Sequence, residues 1–364
     1  MMSRTLVLGA IAGFLTAVGS AQAQEAVAPK LELIGQIVLP TGLKVDGVEF
    51  GGISGLSPDP ADGSYLAISD DRSERGPARY YRLKLAIDAE GVHSVDVASS
   101  TILRGLDGNA FPVKGIDPEA IRYVAGKRSF FWSSETDVSG HPGIYEARLD
   151  GTMLRSLALP DYYLTNADGT NGTYANLGFE GLTLSADGAT LYAITENGLA
   201  QDGAKATLEA GSPSRIVTFD AVSGKAGAEY VYETDPIFAK ATQEPNYNDN
   251  GVSDLLALED GRLLVVERSF GSGIGNEINL YLAEISAATD VAGMTTLAGQ
   301  TYTPVSKTLL ATLGEGDFGL DIDNVEAVAM GPEIDGSKTL LIASDNNFNA
   351  AGQFTQFVAF RLVE

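Results

Sequence analysis

The 364-residue chain has no cysteine, only two histidines and one tryptophan, and half as many basic as acidic residues, 24 against 48. Without cysteine there can be no disulfide framework, no thiolate metal site and no cysteine nucleophile, so packing, hydrogen bonds and hard cations are left to hold the fold. The two histidines are His93, in a strand-like run, and His141, in a loop; both a three-histidine zinc site and a histidine-phosphatase site are argued against. A formal charge of −24 argues against nucleic acid as a partner, because binding a polyanion is driven by basic patches that release counterions. Divalent cations, or anions held through them, fit better. The chain also lacks a Gly-x-Ser-x-Gly nucleophile elbow and a Gly-x4-Gly-Lys-Ser/Thr phosphate loop. It has no helical periodicity long enough for a βα fold and no Pro- or Ser-rich linker. At 44% apolar and 20% charged residues, the composition is that of a globular protein.

The N-terminus reads as a leader. Arg4 supplies a positive region, Leu6 to Val18 a short apolar run and Ala21-Gln22-Ala23 a small-x-small cleavage pattern, so residues 1–23 are expected to be a signal peptide cut after Ala23. The apolar run falls short of the roughly 20 residues that span a bilayer, and no later stretch approaches that length. The mature chain, 24–364, is therefore expected to be one soluble domain and a monomer, in a periplasm or secreted.

What is present is a repeat. A short apolar stretch, a turn and an apolar strand ending near a carboxylate recur five times. Gly52-Ile53-Ser54-Gly55-Leu56 leads to Tyr65–Asp71, Pro118-Glu119-Ala120-Ile121 to Phe130–Glu135, and Phe179-Glu180-Gly181-Leu182 to Leu191–Glu196. Val252-Ser253-Asp254-Leu255 leads to Leu263–Glu267, and Val325-Glu326-Ala327-Val328 to Leu340–Asp345. Four of the five carry Asp-Gly in the connecting turn, at Asp62, Asp187, Asp260 and Asp335, which is a strong hairpin signal. Two further strand-like runs follow each of the first four copies but only one, Gln356 to Leu362, follows the fifth; Leu31 to Leu39 can supply the missing strand. The expected fold is an all-β propeller of five four-stranded blades whose ring is closed by the N-terminal strand in the last blade, with a sixth blade left open between Glu196 and Ser253. A β-sandwich would also give short strands, but not one motif five times.

These motifs, with Ser-Asp-Asp-Arg at 69–72, Thr-Glu-Asn at 195–197 and Ser-Asp-Asn-Asn at 344–347, resemble the bacterial phytase-like family known by an esterase-like activity of phytase, over nearly the whole mature chain. The resemblance implies a secreted β-propeller related to calcium-using propellers that hydrolyse phosphomonoesters.

In a propeller the innermost strands line a central channel, so the recurring acids are expected to meet at one rim. Glu119, Glu180 and Glu326 open the units, and Asp70, Asp71, Glu135, Glu196, Glu267 and Asp345 close the second strands. So many carboxylates near one axis repel unless countered. Arg72, Arg122 and Arg268 lie beside members of the set, and Ca²⁺ takes six to eight oxygen ligands. Three readings stay open: capping and blade-to-blade locking, a cation-organised site, and an organic carboxylate pair. Two acidic loops add candidate ligands, Asp317-x3-Asp321-x-Asp323-Asn324-x-Glu326 and Asn246–Gly251, although neither follows the helix-loop-helix calcium pattern; Asp168–Gly172 reads as an ordinary loop and Gly271–Asn276 as a flexible rim loop.

The expected function is a calcium-dependent hydrolase of phosphate or related esters, acting on a small anionic ester through metal-activated water. Glu180, Glu196, Arg268 and Arg72 are the catalytic candidates, and Asp70, Glu119, Glu135, Glu180, Glu326, Asp323 and Asp345 the cation ligands. The alternative is a non-catalytic propeller that binds a ligand or protein partner and uses cations structurally.

Overall fold

A computed structural model describes residues 29–363; the expected leader lies outside the described residues. The molecule is a ring of five antiparallel sheets of four strands each, together with one small hairpin, Lys44–Val45 with Val48–Glu49. Blade 1 runs Ile53–Asp59, Ser64–Ser69, Arg79–Asp88, Gly91–Ile102, and blade 2 Ile116–Val124, Ser129–Asp137, Gly143–Arg148, Met153–Ser156. Blade 3 runs Phe179–Leu184, Thr190–Thr195, Pro213–Asp220, Ala226–Glu233, and blade 4 Asn248–Ala257, Leu263–Gly271, Gly275–Glu284, Ser306–Leu313. Blade 5 is Val325–Met330, Thr339–Ser344 and Thr355–Val363, completed on its outer edge by Lys30–Leu39. That pairing runs from Lys30 opposite Val363 to Leu39 opposite Thr355 and joins the two ends of the described chain, so the ring is closed and five is the number of blades.

Inner strands read as continuous apolar runs because both faces are covered; outer strands such as Arg79–Asp88 alternate because one face meets water. One buried cluster fills each gap between neighbouring blades. Leu66, Ile68, Phe130 and Trp132 join blades 1 and 2, for example, and Leu264, Val266, Val328 and Ile342 join blades 4 and 5. The four Asp-Gly turns place Gly63, Gly188, Gly261 and Gly336 at φ between 69° and 87°, the left-handed conformation that glycine tolerates. The longest departure from the expected strands is 285–305, where Tyr302–Val305 does not extend the outer strand of blade 4. This segment folds back over blade 3 instead, with Val291 and Leu297 packed on Val231 and the Val305 N–H donating to the Val231 carbonyl. Gly271–Asn276 is a tight hairpin between two long strands, with Gly271 opposite Gly275, not a free loop.

Two features place the site. Each innermost strand breaks register with its neighbour at the same point: between Ile53 and Gly55, Pro118 and Ile121, Phe179 and Gly181, Val252 and Asp254, and Val325 and Ala327. Such β-bulges re-aim a side chain out of the regular alternation. The residues they contain are Ser54, Glu119, Glu180, Ser253 and Glu326. The second feature is a plug on the axis. Arg122 is buried and donates from Nη1 to the carbonyls of Leu56 (2.5 Å) and Ile121 (2.8 Å). From Nη2 it reaches the carbonyls of Leu255 (2.9 Å) and Val328 (3.4 Å) and both carboxylate oxygens of Asp254 (2.8 Å each). Four blades are thereby tied to one guanidinium. Arg122 was expected to balance the rim acids; its partner is Asp254, whose oxygens also accept from the Leu255 and Val328 N–H groups.

Arg122→Met leaves Asp254 buried without its counter-charge and is expected to cost about 3–5 kcal/mol in urea unfolding. Adding Asp254→Asn removes the uncompensated charge and should recover part of the loss, the carbonyls that Arg122 served staying without a donor; a single variant as stable as the parent would mean the plug does not hold the ring.

Candidate functional site

The second strands carry the other half of the repeat. Register aligns Ser69, Ser134, Thr195, Glu267 and Ser344, each opposite the residue just before the bulge. The next residue in each blade is therefore Asp70, Glu135, Glu196, Arg268 and Asp345. In blade 4 the equivalent place holds Arg268, not Glu267. One residue along a strand reverses the face, so Glu267 turns away from the channel. It accepts from the Tyr232 hydroxyl (2.7 Å), the Asp235 N–H (2.8 Å) and Lys307 (2.6 Å). Asp71 leaves the rim set for the same reason. It pairs with buried Arg79 at 2.6 Å and caps the N–H groups of Glu74, Arg75 and Gly76.

The remaining residues meet in a pit of about 240 Å³ lined by Asp70, Arg72, Asp117, Glu119, Glu135, Asn176, Glu180, Glu196, Arg268, Glu326 and Asn347. Ser54 Oγ donates to Glu119 (2.6 Å), and the Gly178 N–H to Glu135 (2.6 Å). Glu180 lies in hydrogen-bond contact with Glu135. Arg268 bridges Glu196 (3.4 Å) and Asp249 (3.3 Å), Arg72 reaches Asp117 (3.3 Å), and Asn324 donates to Glu326 (2.9 Å). Two carboxylate triads stand out, Asp117-Glu119-Glu135 and Glu135-Glu180-Glu196, each with one oxygen per residue within 4.8 Å of the others. Glu135 belongs to both. The Asp70 Oδ1 and Arg268 Nε atoms are buried without a hydrogen-bond partner among the described residues.

Of the cation candidates, Asp345 and Asp323 lie outside the pit lining. Asp345 is buried next to Asp70 and Glu326, accepting from the Asn347 N–H (2.9 Å). Asp323 accepts from the N–H groups of Asn324 (2.8 Å) and Phe354 (2.7 Å) and lines a neighbouring cleft. The two acidic loops do not gather their acids: Asp317 caps Gly314, Asp321 is exposed, and Asp249 is bound to Arg268 and the Tyr247 hydroxyl. Asp117 was missed, although it stands two residues before Glu119 on an extended strand, a spacing that puts two side chains on one face. Asn176 gave no sequence signal, and Asn347 entered only as the last residue of the Ser-Asp-Asn-Asn motif; each stands at positive φ, 57° and 46°.

Buried carboxyls resist ionisation. Desolvation raises Glu119 and Glu180 well above the carboxylate range, and the charges around them add to it: Asp117 and Glu135 for the first, Glu119, Glu135 and Glu196 for the second. Burial also raises Asp70, helped by Glu326, and Glu196, where Arg268 opposes it. Asp117 is pushed up to about 7 by burial and by Glu135, and Glu326 to about 7 by burial against the pull of Arg268.

These groups bind protons more tightly in the folded chain than in the unfolded one, where carboxyls titrate near pH 4. Between about pH 4 and 7 the folded state holds the extra protons, so stability falls as pH rises through that window. With a chelator present, the melting temperature is expected to fall from pH 5 to pH 8 and, at pH 8, to be higher for Glu180→Gln than for the parent. A melting temperature that rises over that range would contradict the raised carboxyls.

Comparison with known proteins places this geometry. A family model described as phytase-like, esterase-like activity of phytase, matches residues 48–348. An uncharacterized secreted protein of Arthroderma benhamiae is 28% identical, the match covering 43% of this chain and 35% of that protein, so the chain spans about a third of its relative's length. Among solved structures, the ring is similar to a hydrazine synthase of Kuenenia stuttgartiensis (TM-score 0.39, 13% identity, 84% of this chain and 79% of that one). It is also similar to a periplasmic gluconolactonase of Pseudomonas aeruginosa (TM-score 0.38, 10% identity, 87% and 89%) and to the Dos1 propeller (TM-score 0.35, 8% identity, 84% and 67%). With the family model spanning blades 1 to 4 and the two inner strands of blade 5, the chain belongs to the phytase-like family.

Proposed function

We propose that the chain is an exported hydrolase of phosphate or related esters, working in the central pit with calcium as its cofactor. The observation that carries this reading is the pair of carboxylate triads sharing Glu135. Their donors are all hard oxygens, the kind calcium takes, and the partnerless Asp70 Oδ1 beside them is a further donor without a use inside the fold. Asp117, Glu119, Glu135, Glu180 and Glu196 are the residues that would hold the ion, with Asp70 and Glu326 close by. When bound, calcium supplies a Lewis acid and lowers the pKa of water.

The chain's own groups complete the chemistry. Arg268, kept charged by Asp249 and Glu196, and Arg72 at the opposite wall bind the ester oxygen on which negative charge develops. Glu135, raised by burial against the pull of hydrogen bonds from Glu180 and the Gly178 N–H, accepts the proton of the attacking water. Glu180, in hydrogen-bond contact with Glu135, relays that proton to the leaving alcohol as the ester bond breaks and the new bond to the water oxygen forms. The relative described as secreted supports export, as does the expected leader. Among the described residues no helix is long and apolar enough to cross a membrane.

The test is turnover of p-nitrophenyl phosphate and p-nitrophenyl acetate by the mature protein, with calcium or with a chelator, and elemental analysis of bound metal. Glu180→Gln is expected to lose about 100-fold or more in kcat while remaining folded. Turnover that Glu180→Gln matches would sink the reading. A chelator that lowers the melting temperature without any turnover to remove would favour a non-catalytic propeller with structural cations.

A further inference from the structure

The pit opens sideways into a larger cleft of about 540 Å³ between blades 4 and 5, sharing Glu196, Arg268, Glu326, Asn176 and Asn347 with it. Resting on the hydrolase reading above, we propose that this cleft binds the alcohol part of the ester and that this part is an uncharged polyhydroxylated ring, a sugar, and not a densely phosphorylated one.

Three observations converge on that class. The first is charge. The cleft adds Asp249, Glu315, Asp321 and Asp323 to the acids of the pit, while Arg268 is the one cationic side chain in its lining. In the cleft itself these four added acids face a single guanidinium, so several phosphates on one ring would meet a repelling wall. One ester group can still be held at Arg268 and Arg72. The second is a set of idle amides. The side chains of Asn176, Asn276 and Asn347 line the cleft without a hydrogen bond to any described residue, and each offers both a donor and an acceptor. Hydroxyl groups need both.

The third is an aromatic platform. Tyr247 is 53% exposed at the cleft, its ring beside Phe270 with centroids 6.2 Å apart. Its hydroxyl donates to Asp249 (2.6 Å), which in turn pairs with Arg268, so the ring is fixed relative to the pit. The negative face of an aromatic ring suits the weakly positive C–H face of a sugar, and an exposed oriented ring at a cavity mouth is a binding feature. An acidic, amide-lined cleft with one stacking face recognises neutral hydroxyls; it lacks the basic residues that a polyphosphate requires.

Binding decides the proposal independently of catalysis. Saturation-transfer NMR and calorimetry on the mature protein with calcium, using the methyl glycosides of glucose, galactose, mannose and xylose as probes, should detect at least one of them. Tyr247→Ala should weaken that binding by about tenfold, whereas Tyr247→Phe, which keeps the ring, should stay within about threefold. In turnover, 6-O-acetylglucose or glucose 6-phosphate should exceed inositol hexakisphosphate in kcat/KM by at least about tenfold. If a glycoside binds through Tyr247 but no ester is hydrolysed, the hydrolase reading fails and the cleft assignment stands. If esters are hydrolysed while none of the glycosides binds, or inositol hexakisphosphate is the better substrate, the cleft assignment is overturned and the hydrolase reading stands.

Discussion

Five sheets arranged around an axis have no central element, and the carbonyls of their innermost strands would face one another there without donors. Arg122 removes that difficulty. Its rigid fork of N–H groups satisfies carbonyls from blades 1, 2, 4 and 5 at once, and Asp254 neutralises it while accepting two further N–H groups. A buried carbonyl left without a partner costs about 1–3 kcal/mol, so one side chain offsets several such penalties. Burial pushes Asp254 up to about 6 even beside Arg122, a sign of how dry the axis is at that level. The bulges that carry Glu119 and Glu326 start from strands pinned by this pair, and that part of the pit inherits its shape from them.

The sequence made the ring legible because a propeller repeats its physics. Inner strands buried on both faces read as apolar runs, Asp-Gly marks the tight turns, and a fifth copy short of one strand with a spare strand at the N-terminus implies the closure. Placing side chains was harder, because one residue of slip along a strand exchanges inside for outside. In blade 4 an acid follows the apolar run Leu263–Val266 directly, where the other four blades have Ser or Thr, and reading Glu267 as the channel residue hid Arg268 as the true equivalent of Asp70, Glu135, Glu196 and Asp345. Asp71 shows the opposite limit. Nothing local distinguishes it from Asp70; its direction is set by Arg79, which belongs to a different strand of the blade. Partners of this kind are facts of tertiary packing, as is the segment 285–305 lying over blade 3.

Two levels of one channel thus follow different electrostatic rules. At the plug a buried charge has an equal and opposite neighbour. The same holds away from the axis, where Arg79 pairs with Asp71 and Arg215 pairs with Asp202 and Glu229, all buried. The chain therefore has the means to compensate buried acids, and uses them. In the pit it does not, since Asp70, Asp117, Glu119, Glu135, Glu180, Glu196 and Glu326 face only Arg72 and Arg268. Carboxyls left unmatched in a dry site must take up protons or cations, each at some expense in stability for the empty protein. Sites that sacrifice stability for an unsatisfied arrangement are where function is to be sought.

Blade 4 breaks the symmetry that the other blades would impose. Where they offer a carboxylate it offers Arg268, and where blades 2, 3 and 5 offer a glutamate at the bulge it offers Ser253, whose hydroxyl donates to the Val325 carbonyl of the next blade. At blade 4 the pit consequently has an electropositive wall, and that wall is shared with the cleft. Asp249, Arg268 and Glu196 form a continuous chain of charge from the cleft to the triads, with Tyr247 fixed to its outer end. A ligand passing from the cleft to the pit meets this oriented cation before it meets the carboxylates of the two triads. Five equal blades would give a symmetric well with no preferred approach; exchanging one residue type in one blade gives the well a direction.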